Sequence, residues 1–400
     1  MTANKIVIFV DDDAAAGGNG SARLPYSDLQ DAITTANASP DPVIIKVRPG
    51  KYVLGAPLLI ERSVDLRGSS ELIQDGDGWP TGDVVGGTET RIVAANVVGS
   101  QSLIVVGRSD ASVLNNVSIR GFVFQGSTNG LEVLLNRVQN FQVGANVFRA
   151  PAFLGLQTVA SSGVAIGNYF SGVGTGASLT GGYPASPSKV VFTGNRSVRN
   201  LFGGLLLNGA SINIPELGNE LIADVRGNDL SDNTTTASFS FGLRLFILRR
   251  DLGAPGDSQS SARIEAIVQG NRIVGNLIGV SIDGGFPHRR VGTFCDPRTY
   301  SGELAVSFAG NTVGESLLTS ALVTFTRSTA ALDPAMLPRW QYLHGATFTI
   351  VDTDGALGNG WIDHPAVDPF LGPCSADATH EALGNVLIYN GASVPNSRNF

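Results

Sequence analysis

Short apolar runs alternate with polar, glycine-containing breaks along most of the chain, and inside the runs the apolar residues recur at every second position. Four examples are Gly204-Leu-Leu-Leu-Asn208, Gly242-Leu-Arg-Leu-Phe246, Gly279-Val-Ser-Ile-Asp283 and Ala321-Leu-Val-Thr-Phe325. A period of two predicts strands with one face buried. Each run follows the same polar phrase. It reads Gly194-Asn195-Arg-Ser-Val-Arg-Asn200, Gly227-Asn228-Asp-Leu-Ser-Asp-Asn233, Gly270-Asn271-Arg-Ile-Val-Gly-Asn276 and Gly310-Asn311-Thr-Val-Gly-Glu-Ser316. A turn phrase and a strand repeated in one order predict a solenoid. The alternative, hairpin turns in an antiparallel sandwich, would not keep that order in every repeat.

Other elements follow from the same patterning. Lys5–Val10 reads as a strand, and Ser27-Asp-Leu-Gln30 fits a capping box. Leu29, Ala32, Ile33 and Ala36 then share one face of a helix over 28–38. Strands are predicted at Val43–Val47, Leu58–Ile60, Val64–Leu66, Arg91–Val93, Leu103–Val106, Val117–Ile119, Phe122–Phe124 and Leu131–Leu135, with a loop over 69–90. Asn146, Asn168, Asn195, Asn228, Asn271 and Asn311 each follow Gly or Ala, at spacings of 22, 27, 33, 43 and 40 residues. The shortest spacing suits a bare coil of three strands, and the excess in later coils must be inserted loops. Parallel strands stacked about 4.8 Å apart would let these asparagines bond from coil to coil. Gly384-Asn385-Val-Leu-Ile-Tyr-Asn390 restores the phrase near the end, so the chain reads as one domain over 1–400. Residues 1–68 form a cap and first coils and 91–327 the regular coils. Residues 328–400 form an irregular, decorated region with a final coil near 384–390.

The opening residues Tyr26-Ser-Asp-Leu-Gln-Asp-Ala-Ile33, Ile44-Ile-Lys-Val-Arg-Pro-Gly-Lys-Tyr52 and Leu66-Arg-Gly68 resemble the pectate-lyase-like superfamily. The resemblance implies an all-β, single-stranded right-handed parallel β-helix whose open end is covered by an N-terminal helix. It implies no single activity, because the fold carries pectate lyases, pectin esterases, polygalacturonases, alginate-modifying enzymes, phage tailspikes and adhesins. The Asn-Thr-Asp, paired-Asp and Gly-His-Gly motifs of polygalacturonase-like enzymes are absent here.

Composition narrows the partners. Fifty glycines and 15% charged residues suit a turn-rich β protein, and a net charge of -7 argues against general nucleic-acid affinity. No stretch is long and apolar enough to span a bilayer. The apolar run ending at Val10 is too short for a signal-peptide core and is followed by Asp11-Asp-Asp13, a solvated turn. An exported protein without its leader would read the same, and a secreted or cell-envelope setting suits a glycan ligand. Cys295 and Cys374 fit either one disulfide or two free thiols. The oligomeric state is open between monomer and trimer.

Strand parity then places the chemistry. Aligned on Gly155, Gly176, Gly204, Gly242, Gly279 and Ala321, the first and third positions after each anchor are apolar or small and point inward. The second and fourth point outward: Gln157/Val159, Ser178/Thr180, Leu206/Asn208, Arg244/Phe246, Ser281/Asp283 and Val323/Phe325. Asn208 and Asp283 thus share a column, with the Arg244 rung between them. Three insertions leave the same edge. Residues 248–261 carry Arg249 and Arg250. Residues 284–301 carry His288, Arg289, Arg290, Asp296, Arg298 and Tyr300. Residues 328–345 carry Arg339, Trp340, Tyr342 and His344.

Guanidinium forks suit carboxylates and aromatic faces suit sugar rings, so the ligand expected in this groove is an acidic carbohydrate. The equal alternative is that these arginines pair locally with Asp251, Asp257, Asp296 and Glu303. Catalytic candidates are Asp283, His288, Arg244, Arg290, Asp296 and Tyr300. In β-elimination Arg244 or Arg290 would neutralise a uronate while His288 or Tyr300 moves a proton. Hydrolysis would need two carboxylates, for which Asp283 and Asp296 are the pair. Asp283 could instead cap the Gly284-Gly285 turn. Neither route requires a cofactor. Asp352, Asp354 and Asp363 echo a calcium loop, with Leu357 where such a loop needs Gly, and an Asp-Gly turn is the simpler reading. A non-catalytic glycan-binding or tailspike-like module, and a small-molecule tailoring enzyme, are the other functions compatible with these residues.

Overall fold

A computed structural model describes residues 5–96, 98–182, 187–209, 219–234, 240–247, 260–283, 300–324, 344–357, 361–363, 386–390 and 392–393. The chain winds as a right-handed parallel β-helix with three faces. The first face is a 14-stranded sheet running from Ile6–Val10 through Ser188–Thr193 and Ser260–Gln269 to Val386–Tyr389. The second begins at Gly50–Leu54 and contains six strands as far as Arg196–Val198. Single-residue bridges at Asp229 carry it on to Arg272–Val274 and Thr312–Gly314. The third has ten strands, from Leu58–Ile60 to Trp361–Asp363. Each full coil visits the faces in that order, and one buried apolar cluster extends from Ile8 to Leu357. Among the described residues no helix is long and apolar enough to cross a membrane.

The predicted helix, α1, spans Leu29–Ala38 and buries Leu29, Ala32, Ile33 and Ala36 against the first coil. Its cap is Asp28 rather than Ser27. The Asp28 carboxylate accepts the Gln30 N–H at 2.8 Å, satisfying one of the donors a helix start leaves open.

The repeated phrase owes its glycine to backbone geometry. Gly194, Gly227, Gly270 and Gly310 turn the chain from the first face to the second with φ of 58 to 63°. This is the left-handed region that a Cβ disfavours. Each asparagine that follows points into the core. From Asn146 to Asn271, each one donates both its backbone N–H and its Nδ2 to the Oδ1 of the next, at 2.8–3.2 Å. Each Nδ2 also reaches a first-face carbonyl of the coil before, as Asn228 does to Phe192 at 2.9 Å. The Phe122 N–H closes the head of the ladder on Asn146 Oδ1 at 3.1 Å. Asn200, Asn233 and Asn276 form a second ladder at the phrase's last position, with amide contacts of 3.0–3.1 Å. It starts where the column of Phe124, Phe148 and Phe170 gives way to Ser197. Those rings stack at 5.1 and 4.5 Å between centroids. Aromatic stacking therefore accompanies the first ladder in the early coils, and the second ladder replaces it in the later ones.

Three expectations are corrected. Residues 69–90 are not a plain loop. Leu72–Gln74 and Pro80–Val84 form an antiparallel hairpin that lies across the second face and buries the outward Val123, Val147, Tyr169 and Val198. Asp75 in its turn pairs with Arg196 at 2.7 Å, and Trp79 Nε1 donates to the Gly227 carbonyl at 3.1 Å. The hairpin is a strap over several coils. Second, the described part of the last phrase, Val386–Asn390, ends on a first-face strand rather than opening a second-face one. Val386–Tyr389 pairs with Thr347–Ile350 on the first, and Asn390 bonds the Asp352 backbone in both directions. Third, the Ala321 rung of the third face is offset by one residue. Ala321 pairs with Val280, so Leu322 and Thr324, not Val323 and Phe325, continue the outward columns.

The glycines opening the third-face strands form a column with no room for side chains. A Cβ on Gly155 would lie 2.7 Å from the Gly176 carbonyl, and one on Gly204 2.6 Å from that of Gly242. One coil earlier the equivalent residue is Glu132, flanked by Leu131 and Val133, which pair with Leu154 and Leu156. Its carboxyl is fully buried. It accepts the Gly126 N–H at 3.1 Å, and its second oxygen finds no partner among the described residues. Burial pushes this carboxyl well above the ordinary range, against the pull of the Gly126 and Arg149 amides.

Two predictions follow from the core. Asn228→Ala strands the Asn195 donors and the Phe192 carbonyl in the interior. At about 1–3 kcal/mol for each buried orphan, it is expected to lose about 3–5 kcal/mol in urea unfolding, and Asn311→Ala at the ladder's end less. For Glu132 the folded carboxyl holds its proton to higher pH than the unfolded one, near 4.3. Its contribution is therefore intact at low pH and is lost as pH rises from that value through the folded pKa. Glu132→Gln should flatten this part of the profile, read as the difference in urea midpoint between wild type and variant from acid to neutral pH.

Candidate functional site

The third face carries the polar outward columns, and the register now fixes them. One runs Gln157, Ser178, Leu206, Arg244, Ser281, Leu322 and Trp361, each paired with the next. The other runs Val159, Thr180, Asn208, Phe246, Asp283, Thr324 and Asp363. Asn208 and Asp283 do share a column two rungs apart, and Arg244 stands on the rung between them in the neighbouring column. Inward of these lie Leu205, Leu207, Leu243, Leu245, Val280 and Ile282, all 0% exposed, so the floor of the site is rigid core.

Part of this face is covered. Val159, Ser178, Thr180 and Ser281 belong to the outward columns, yet none is more than 3% exposed. Arg244 keeps partial exposure between two aromatic rings. Its guanidinium carbon lies 4.6 Å from the Phe246 ring centroid and 5.7 Å from that of Phe241. Stacking on aromatic faces holds the cation in place.

Several sequence candidates lie outside the described residues: Arg249, Arg250, His288, Arg289, Arg290, Asp296, Arg298, Arg339, Trp340 and Tyr342, with Cys295 and Cys374. Tyr300 and His344 occupy the first residues of first-face strands, Tyr300–Ala309 and His344–Asp352, and are paired with each other in register. They share the edge at which the chain arrives from the third face. Glu303 lies 3.7 Å from Arg263 on the first face, an arginine outside the loop set.

The Asp352, Asp354 and Asp363 group is divided. Asp352 is buried at the end of a first-face strand. Its carboxylate accepts the Ala356 and Leu357 N–H groups at 3.1 and 2.9 Å and the Tyr389 hydroxyl at 2.7 Å. Burial, with Asp352 beside it, pushes the Tyr389 phenol up. Asp354 accepts the Gly310 N–H. Asp363 is on the third face, in the column of Asp283. The first two thus brace a turn, and the third lies on another face. Near the N-terminus, Asp11, Asp12 and Asp13 cluster closely. Asp11 pairs with Arg48, and Asp12 accepts the Lys51 N–H at 2.7 Å.

Trp361 and Asp363 are the floor residues that the spacing argument missed. A signal for them exists: Ser281-Ile-Asp283 and Trp361-Ile-Asp363 repeat one pattern, and the register sets them two rungs apart in the same columns.

No protein-family model and no curated protein matches the chain. Among solved structures it is similar to two mannuronan C-5 epimerase A-modules of Azotobacter vinelandii. That of AlgE4 has 15% identity over 86% of this chain and 88% of that one, with a TM-score of 0.47. That of AlgE6 has 15% identity over 84% of each chain, with a TM-score of 0.46. A tailspike of an Acinetobacter phage matches at 10% identity over 99% of this chain and 64% of its own, with a TM-score of 0.42. At these identities the parallel β-helix rests on the register described above, and any functional reading on this chain's own residues.

Proposed function

We propose that the protein is a carbohydrate-active enzyme that cleaves an acidic, uronate-containing polysaccharide on its third face. The observation that carries this reading is Arg244, held between Phe241 and Phe246 beside a column containing Asn208 and Asp283. Arg244 would pair with a sugar carboxylate, and the flanking rings offer apolar surface to the sugar. Asn208 would bond ring hydroxyls, and Asp283 would move a proton at the scissile bond. The columns run along the solenoid axis, so an extended polymer would lie across successive rungs. The inserted segments 248–261, 284–301 and 328–345 leave the same edge in sequence. His288 and the arginines there are proposed to complete the site.

The test is a panel of pectate, alginate and glycosaminoglycans with and without calcium, read by reducing ends and by ultraviolet absorbance of unsaturated product. Turnover of at least one polymer is expected. Arg244→Gln should lower kcat/KM about 10- to 100-fold, the worth of one charged hydrogen bond. Asp283→Asn should lower kcat about 10²- to 10⁴-fold while polymer binding persists. Retention of a polymer without any turnover would assign the protein to the glycan-binding modules instead.

A further inference from the structure

Two phenylalanines stand on the outside of the corner where the chain passes from the second face to the third. Phe153 and Phe202 each immediately precede a third-face strand, on rungs that the register sets two apart. The core rings of Phe148 and Phe170 are 0% exposed, whereas Phe153 and Phe202 are 47% and 40% exposed. Their rings nonetheless meet, at 6.0 Å between centroids and 59° between planes. Backbone bonds fix both positions. The Thr175 N–H donates to the Phe153 carbonyl at 3.0 Å, and the Phe202 N–H to the Gly174 carbonyl at 2.6 Å. Gly174, on the rung between them, clears the space, since a Cβ there would lie 3.2 Å from the Phe202 ring. The next rung repeats the device: a Cβ on Gly203 would lie 2.3 Å from the Phe241 ring. Phe241 in turn faces the Arg244 guanidinium. A line of aromatic positions thus leads from the exposed corner to the cation.

Resting on the reading of an acidic polysaccharide bound on the third face, we propose that Phe153 and Phe202 form a sugar-binding platform, a subsite that the polymer occupies beyond Arg244. Single exposed apolar residues need no explanation. Two rings packed together outside the core, with a glycine rung between them, are a shaped surface. Its continuity with Arg244 selects the occupant. A uronate polymer presents an apolar ring face to an aromatic side chain and a carboxylate to a guanidinium, and this line offers both in sequence. An apolar protein partner would use the rings alone.

The register also gives the path. Gly203 pairs with Phe241, so Arg244 stands one rung beyond Phe202 and four residues further along the strand direction, about 13 Å. Asp283 ends the strand of the rung after that. Phe153, Phe202, Arg244 and Asp283 therefore advance together in rung and in position along the strand. The polymer crosses the third face diagonally, from the second-face corner to the edge where the inserted segments leave. A span of this size requires an oligomer rather than a single sugar.

The experiment uses the full chain and the acidic polymers of the panel above, read by affinity electrophoresis and by kinetics. Phe153→Ala and Phe202→Ala are each expected to weaken polymer retention and raise KM about 3- to 10-fold while kcat is kept. Phe202→Leu, which keeps apolar bulk without a ring face, should weaken binding as Phe202→Ala does, and Phe202→Tyr should restore it. The loss should be absent for the shortest oligomer bound and grow with chain length. Thermal melting and sedimentation should match wild type for every variant. Wild-type retention and KM in both alanine variants, or in Phe202→Leu, overturn the platform and leave the Arg244 reading standing. Altered sedimentation with unchanged retention assigns the corner to contact between copies of the chain and overturns the platform as well. Weakened retention in a protein that holds polymer without turnover keeps the platform and overturns the cleavage reading. Failure to retain any polymer overturns both.

Discussion

A line of buried asparagine amides sets the terms for everything else in this molecule. Each amide is satisfied only if the next coil returns an asparagine to the same place one rung higher, and the interior offers an unmatched amide nothing in exchange. Five successive links meet that condition, from Asn146 to Asn311. The first-face-to-second-face corner is thereby fixed in length and conformation. Within the laddered coils chain length can vary only at the other corners, and there the long insertions sit between the third face and the first. Stability and novelty are thus kept on different edges of one coil, with the outward floor of the third face next to the edge that is free to change.

This separation explains how much of the molecule was legible in its sequence. The ladder corner needs glycine for a left-handed turn and asparagine for the bond, and few other residues meet either need, so the phrase survives as plain text. Parity inside Gly204–Asn208, Gly242–Phe246 and Gly279–Asp283 was equally readable, because inward Leu, Val and Ile alternate with polar residues. It failed at Ala321. In Leu322-Val-Thr-Phe325 both parities carry apolar residues, and one extra residue enters between Ser316 and the strand, so pattern alone could not choose the register.

The strap and the strand at Trp361 were hidden for other reasons. Leu72–Gln74 and Pro80–Val84 are short and sit in a stretch rich in Gly and Asp that reads as loop. What makes them a hairpin is the apolar outer surface of Val123, Val147, Tyr169 and Val198, which local sequence does not announce. Trp361–Asp363 is only three residues long, and its place is decided by pairing with Leu322–Thr324 rather than by any propensity of its own. Asp363 was read with its sequence neighbours Asp352 and Asp354. The coil assigns it to partners far earlier in the chain, while Asp352 is consumed by the Ala356 and Leu357 amides and the Tyr389 hydroxyl.

The strap also carries a consequence for how the chain is made. Residues 72–84 leave the ribosome before the surfaces they cover, and the last anchor, the Gly227 carbonyl met by Trp79, lies 148 positions later. A two-stranded hairpin has little stability alone, so this segment must wait undocked while the coils beneath it are synthesised and stacked. Coil-by-coil winding is a local process, but closing the strap is a long-range one, and such contacts are slow to form. The molecule therefore couples the completion of its middle coils to a segment from its beginning. Until they are wound, Tyr169 and its neighbours on the second face lack their cover, and an unfinished solenoid differs from a finished one on its outside as well as in its length.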